Sequence, residues 1–399
     1  MRILVSGASV AGPVLAYWLR RYGFDVTVVE RAGSLRKTAG HAVDLFRPAV
    51  RVVERMGLRE KIEAKKTGTD IVTLVAPRTG RRVDVKVANL TAAVSDEHIE
   101  VMRDELSTIF YEATREHVEY VFGDSIASIV EVSDGVEVTF ERGDPRRFDL
   151  VVGADGLHST VRRLTFGPEE RFTTFIGAYL GVFSLPNYLN LDGQVLTYVD
   201  VGRLAGIYGD RHLGDARAIF LFHGEQIDYD YRDIEQQKQI LRSRIASLGG
   251  EVGRLLEHMA DSPAFYFDSI TQVRMESWSR GRVTLVGDAG YSPGPAVGGG
   301  TSLAIVGAYV LAGELAAAGG DHVKAFTSYE REMHAPVLAS RTFARGTART
   351  LVPDSAGRLW AMVQAARLAN ALPTGLIRSL SKLQRGGARL HDEIRLKDY

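Results

Sequence analysis

"VSGASVAGP", residues Val5–Pro13, decides the fold. It joins an apolar run, Arg2–Ser6, to a stretch whose apolar residues Val14, Leu15, Trp18 and Leu19 fall on one helical face. "FDVTVVER" follows, rich in β-branched residues and ending near Glu30. Strand, turn, helix and strand in this order predict a βαβ unit, hence a parallel sheet with its ligand at the strand carboxyl ends. The turn departs from G-x-G-x-x-G, because Ser9 stands at the middle position. Gly7 permits the tight turn, Gly12 lets the helix pack on the sheet, and the helix start offers free N–H groups to a pyrophosphate. Ser9 is small and its hydroxyl is itself a donor. Glu30, eighteen residues beyond Gly12, suits a ribose hydroxyl and repels a 2′-phosphate. The competing reading is an ordinary βα turn followed by a surface glutamate.

Two further stretches repeat the pattern of a buried strand delivering small residues to its end. In "DLVVGADGLHSTVRR", Asp155-Gly156 ends a strand and Ser159 caps the next helix. Turn chemistry alone also accounts for that dipeptide. In "GRVTLVGDAGYSPGPAVGGGTSLAIVGAYVLAG", Gly287-Asp288 ends a strand, and Gly298–Gly300 leads into a helix of small residues. Glycines there let backbone lie flat against a planar ring, and an aspartate at the strand end binds sugar or ribitol hydroxyls.

The chain's 399 residues suit two domains. Lys+Arg and Asp+Glu both number 49, so no net field attracts nucleic acid or anionic lipid. There is no cysteine, which excludes disulfides, thiolate nucleophiles and redox dithiols, so redox chemistry requires a bound cofactor. The apolar stretch "SLAIVGAYVLAGELAAAG" contains Glu314 and reads as a buried helix, not a membrane span; the expected location is cytoplasmic. No spacing suggests a metal site.

The segments "VEYVFG", "SIASIVEV" and "GVEVTFE" are expected to form a small antiparallel meander. Residues 172–278 read as β segments, two helices and a last strand, and the chain after Ala296 as helix.

Together the three strand-end motifs resemble the FAD-dependent class A aromatic hydroxylases, or single-component flavoprotein monooxygenases, and in particular the compact tetracycline-destructase branch. The resemblance implies an α/β fold: a Rossmann-type, GR2-like FAD-binding domain with a mixed sheet, an inserted β-sheet substrate domain, and C-terminal helices. Residues 1–68, 98–171 and 279–320 would form the first, 69–97 and 172–278 the second, and 321–399 a brace. It implies FAD contacts at Gly7, Ser9, Val10, Ala11, Gly12, Glu30 and Arg31. Lys37 and Arg103 would lie near the phosphates and ribityl chain, and Ile126 would offer backbone to adenine. Asp155 and Gly156 would serve FAD and NADPH. Gly287 and Asp288 would hold the ribitol, and Pro295, Gly298, Gly300 and Thr301 would pack by the isoalloxazine. The implied reaction is reduction by NADPH, then oxygen transfer from O2 through a flavin C4a-hydroperoxide to an aromatic or polycyclic small molecule. No side chain is assigned as catalytic base, although Tyr208, His212 and His223 are candidates to deprotonate a phenol. Tyr179, Tyr208, Phe220 and Phe222 are candidate substrate contacts, or an ordinary sheet core. The expected state is a monomer or weak homodimer. Tyr291 replaces a frequent histidine, and Gly299 and Ser302 stand where glutamine and asparagine are frequent. A flavin oxidoreductase without oxygen insertion and a non-catalytic flavin-binding protein are the competing readings.

Overall fold

The computed structural model describes residues 1–35, 40–76, 80–89, 95, 97–209, 214–262, 264–295, 299–371 and 394–399. The opening βαβ unit forms as its pattern predicts: strand Arg2–Ser6, helix Ala11–Arg21 and strand Asp25–Glu30. These strands sit at the centre of a six-stranded sheet in the order 279–280, 283–285, 150–153, 2–6, 25–30, 119–122. All neighbours are parallel except the 279–280 edge, so the ends of strands 2–6, 25–30, 150–153 and 283–285 lie along one margin. "VEYVF" therefore corrects the expected meander: Glu119–Phe122 pairs in parallel with strand 25–30. The three-stranded antiparallel sheet is instead made of 126–132, 135–140 and 146–148.

A seven-stranded sheet carries the rest, in the order 265–273, 173–186, 215–223, 203–209, 194–200, 71–76, 81–86. Its two faces follow the period-two alternation of its strands. On one face Tyr179, Phe183, Phe220, Phe222 and Phe267 pack beneath helices Ile234–Ile245 and Val252–Asp261. The other face carries Ala178, Leu180, Leu221 and Ile270, and meets Ala344 of the 30-residue helix His322–Leu351. That helix also gives Tyr329, Met333 and Val337 to the core around the parallel sheet.

A two-stranded ladder, 42–46 with 98–102, is not apparent in the sequence and leads directly into helix Arg103–Glu112. Helix Gly300–Ala317, the described helix apolar enough to cross a membrane, is an interior element with 78% of its apolar window buried. Its one carboxylate, Glu314, is met by Lys397 Nζ at 2.9 Å and Tyr399 Oη at 2.8 Å, because residues 394–399 return onto it.

Candidate functional site

The three strand-end turns meet. Gly7 has φ +109°, and a Cβ there would collide with the Ala154 carbonyl. Gly12 packs so closely on Gly7 that a Cβ would strike the Gly7 carbonyl oxygen. Backbone bonds lock the margin: Gly7 N–H donates to Val29 O (2.7 Å), Ala154 N–H to Ser6 O (2.8 Å) and Val286 N–H to Gly153 O (2.8 Å). The third turn docks against the first at Gly287, where a Cβ would stand 3.2 Å from Ala304 Cβ and 3.4 Å from Ala11 Cβ. Two helices therefore begin beside one another, and neither start, at Val10 or at Gly299, has a side-chain cap. Uncapped N–H groups and two helix N-termini side by side make this margin an anion-favouring surface.

The acidic residues sort by environment. Glu30 accepts from Ala8 N (2.9 Å) and Ala32 N (2.9 Å), so it holds the turn from the second strand end. Asp155 is turned inward: Ser159 Oγ donates to it at 2.5 Å and Val161 N at 3.1 Å, while Ser159 caps helix 160–166 through Arg162 N. Burial pushes the Asp155 carboxyl up against those bonds. Asp288 differs, because it is solvent-accessible yet ringed by protein. Desolvation raises its carboxyl, opposed by Ser292 and by the charge of Arg103. Its Oδ1 lies 3.4 Å from where a Gly300 Cβ would be, at the uncapped start of helix 300–317.

The remaining expected residues take the following places. Ser9 is exposed in the opening turn, with Oγ 3.4 Å from Ser107 Oγ; Val10 and Ala11 are buried beside it. Arg31 donates to Thr160 Oγ1 at 2.9 Å, and Gly156 has φ +82° with open space around its Cα. Arg103 starts its helix, half-buried, and its N–H donates to His41 O at 3.2 Å. Ile126 is buried at the strand start beyond Asp124, whose N–H donates to Glu30 O (3.2 Å). Pro295 and Thr301 are half-buried on either side of the glycine segment. Lys37, Gly298 and His212 lie outside the described residues.

Three of the four candidate substrate contacts take the sheet-core alternative. Tyr179, Phe220 and Phe222 point into the core under the two helices, with Tyr179 and Phe222 stacked at 5.0 Å between ring centroids. Tyr208 lies on the other face, where it accepts from Ala42 N (3.0 Å). That face meets loop 40–42 again through Arg217 Nε to Gly40 O (3.3 Å) and through Tyr266, whose ring is 6.5 Å from His41. It is therefore the face turned toward Arg103 and Asp288, both of which act electrostatically on Tyr266. His223 is committed to carbonyls, Nδ1 to Gly177 O (2.9 Å) and Nε2 to Val352 O (2.7 Å).

Sequence reasoning missed Arg162 and the network beside it. Arg162 is fully buried and bridges two turns, donating to Leu157 O (2.6 Å), Ala289 O (2.9 Å) and Glu169 Oε2 (2.7 Å). His158 lies between Glu169 (2.8 Å) and Asp268 (3.1 Å). Burial pushes its imidazolium down, but the bonds to Asp268 and Glu169 outweigh this and hold it up at about 10. The available signal was polar residues inside an otherwise apolar strand and helix. Tyr291, at the position of the frequent histidine, faces the core, where Tyr329 Oη donates to its Oη at 2.9 Å. Ser302 ties its helix to strand 42–46, accepting from Phe46 N (2.9 Å) and donating to Asp44 O (2.9 Å).

This geometry agrees with the comparisons. A family model described as "FAD binding domain" matches residues 1–342. The chain belongs to the FAD-dependent class A monooxygenases. It is 39% identical over 343 residues to a flavin-dependent monooxygenase of Legionella longbeachae, covering 86% of this chain and 87% of that one. It is 46% identical over 334 residues to an uncharacterized protein of Mycobacterium tuberculosis, covering 83% and 89%. The crystal structure of tetracycline destructase Tet(51) superposes with a TM-score of 0.84 at 35% identity, over 100% of this chain and 99% of that one. Klebsiella pneumoniae HpxO, solved with FAD and uric acid, shares the fold, with a TM-score of 0.74 at 22% identity over 96% of each chain. FAD is the cofactor of this family, and the monooxygenase is an enzyme.

Proposed function

We propose that the chain uses NADPH and O2 to hydroxylate an aromatic or polycyclic small molecule, a natural product or antibiotic. The observation that carries this reading is the convergence of three turns on one sheet margin, with two uncapped helix starts and an accessible Asp288 between them. The residues present fit FAD. Helix 11–21 would present its N–H groups to the pyrophosphate, Glu30 would face the ribose, Arg103 and Asp288 would hold the ribityl chain, and Gly300 and Thr301 would border the ring. When bound, FAD supplies hydride acceptance and activation of O2. The protein's own work is positioning and the exclusion of water. Residues 1–68, 98–171 and 279–320 serve the cofactor, 69–97 and 172–278 the substrate, and 321–399 brace them. The destructase name of a 35% identical structure supports a polycyclic substrate class.

The test is NADPH oxidation by the FAD-loaded protein across a panel of phenols, polyketides and antibiotics, with 18O2 tracing into product. One ligand should accelerate oxidation and gain labelled oxygen. A protein that stays colourless with excess FAD refutes the assignment. Ligand-stimulated oxidation that never labels a product refutes the hydroxylation.

A further inference from the structure

Among the described side chains on the face of the seven-stranded sheet turned toward Arg103 and Asp288, the phenol of Tyr266 has its proton committed and receives no donor on its oxygen. We propose that Tyr266 recognises a hydroxyl group of the substrate, acting as an obligate hydrogen-bond acceptor that Asp268, His158 and Glu169 hold in that state. The proposal rests on the monooxygenase reading and names a substrate feature within it.

Asp268 is 4% exposed and lies two residues from Tyr266 on the same strand face. Four donors surround its carboxylate: Ser269 N (2.8 Å) and Tyr229 Oη (3.3 Å) on Oδ1, and His158 Nε2 (3.1 Å) and Tyr266 Oη (3.3 Å) on Oδ2. A carboxylate so filled is an acceptor only, so both tyrosines must give it their protons. Tyr229 then accepts from Ser269 N (3.2 Å), which uses its oxygen. Among the described residues no donor reaches the Tyr266 oxygen. Burial, and then the charge of Asp268, hold that phenol protonated.

The surroundings say what it would meet. Tyr266 is half-buried, with the His41 ring 6.5 Å away and Arg103 and Asp288 acting on it electrostatically. Half-buried Ile176, Leu204 and Ile219 belong to the same cluster. An aliphatic wall with a single fixed acceptor suits a flat, mostly apolar ligand carrying one donor hydroxyl near its reacting edge. A methyl ether at that position cannot donate and also crowds the phenol oxygen.

The experiment titrates the FAD-loaded protein at pH 6.5 with 7-hydroxycoumarin and with 7-methoxycoumarin, using calorimetry. Wild type should bind the hydroxyl compound roughly ten-fold more tightly. Tyr266→Phe should bring the ratio to about one while retaining FAD and its affinity for the methyl ether. Equal affinities in wild type, no binding of either compound, or an unchanged ratio in Tyr266→Phe would each overturn the proposal. The monooxygenase reading fails separately, through lost FAD or unlabelled product.

Discussion

Arg162→Met keeps roughly the volume of the buried side chain and removes every bond it makes. The wild-type guanidinium donates to two backbone carbonyls, Leu157 O and Ala289 O, one in each of two turns proposed to face the cofactor, and to Glu169. Breaking a buried charged contact costs about 3–5 kcal/mol. Glu169 keeps His158 and is partly exposed, which places this case at the lower end, about 3 kcal/mol. If the bridge serves mainly to hold the two turns in register for FAD, most of that loss appears in cofactor affinity. At 1.4 kcal/mol per decade, about 3 kcal/mol is roughly a hundred-fold weaker Kd. The assay is urea unfolding of apo and FAD-saturated protein. FAD stabilises by RT ln(1 + [L]/Kd), so the gain on adding a fixed FAD concentration should shrink by about 2–3 kcal/mol in the variant. Equal destabilisation of apo and loaded forms, with Kd within threefold of wild type, would refute the idea that Arg162 sets the cofactor turns.

Gly12→Ala places a Cβ against the Gly7 carbonyl oxygen, a backbone atom with nowhere to go, so purified protein should carry little or no FAD by its visible absorbance. Removing residues 394–399 strips Lys397 and Tyr399 from buried Glu314 and should cost about 3 kcal/mol in urea unfolding; a Glu314→Gln background should lose clearly less. His158, faced by Asp268, Glu169 and the Tyr231 ring and flanked by Arg162, Tyr229 and Tyr266, is raised from 6.5 to about 10. Its stabilisation is full below about 6.5 and lost as pH rises through about 10, whereas Glu169, held below its usual range by His158 and Arg162 against burial, loses its share only in acid. Urea midpoints should therefore fall from pH 6.5 to 10 in wild type more steeply than in His158→Gln.

What was legible in the sequence was whatever depends on local pattern. Strand ends, glycine turns and the succession of β segments from Thr173 to Val273 could be read because each is written in neighbouring residues. Sheet faces were not. Strands 173–186 and 215–223 are apolar on both sides, so alternation gives two equivalent sets and no sign of which one lies under the helices. The aromatic set, Tyr179, Phe220 and Phe222, goes under the helices, and the aliphatic set, Leu180, Ile219 and Leu221, faces the other way. The strand 119–122 failed for a related reason: an alternating run pairs equally well in either direction, and only its neighbour decides. Arg162 and His158 left only a polar residue in an apolar run as a signal, because partners that give them a role lie as far as 127 residues away.

Ser9 shows where such motif reading should place its weight. In this fold the three positions of the glycine motif are under different pressures. Gly7 and Gly12 are forced by the protein itself, because each presses its Cα against a backbone carbonyl within the sheet margin. Among the described residues no element closes over Ser9; it is exposed, and its Oγ lies 3.4 Å from the hydroxyl of Ser107. The middle glycine is thus required only by a phosphate approaching from outside, and a small hydroxyl can meet that phosphate as a donor. A substitution at either flanking glycine argues against the site, whereas serine in the middle leaves the cradle intact and changes only the group that first touches the ligand.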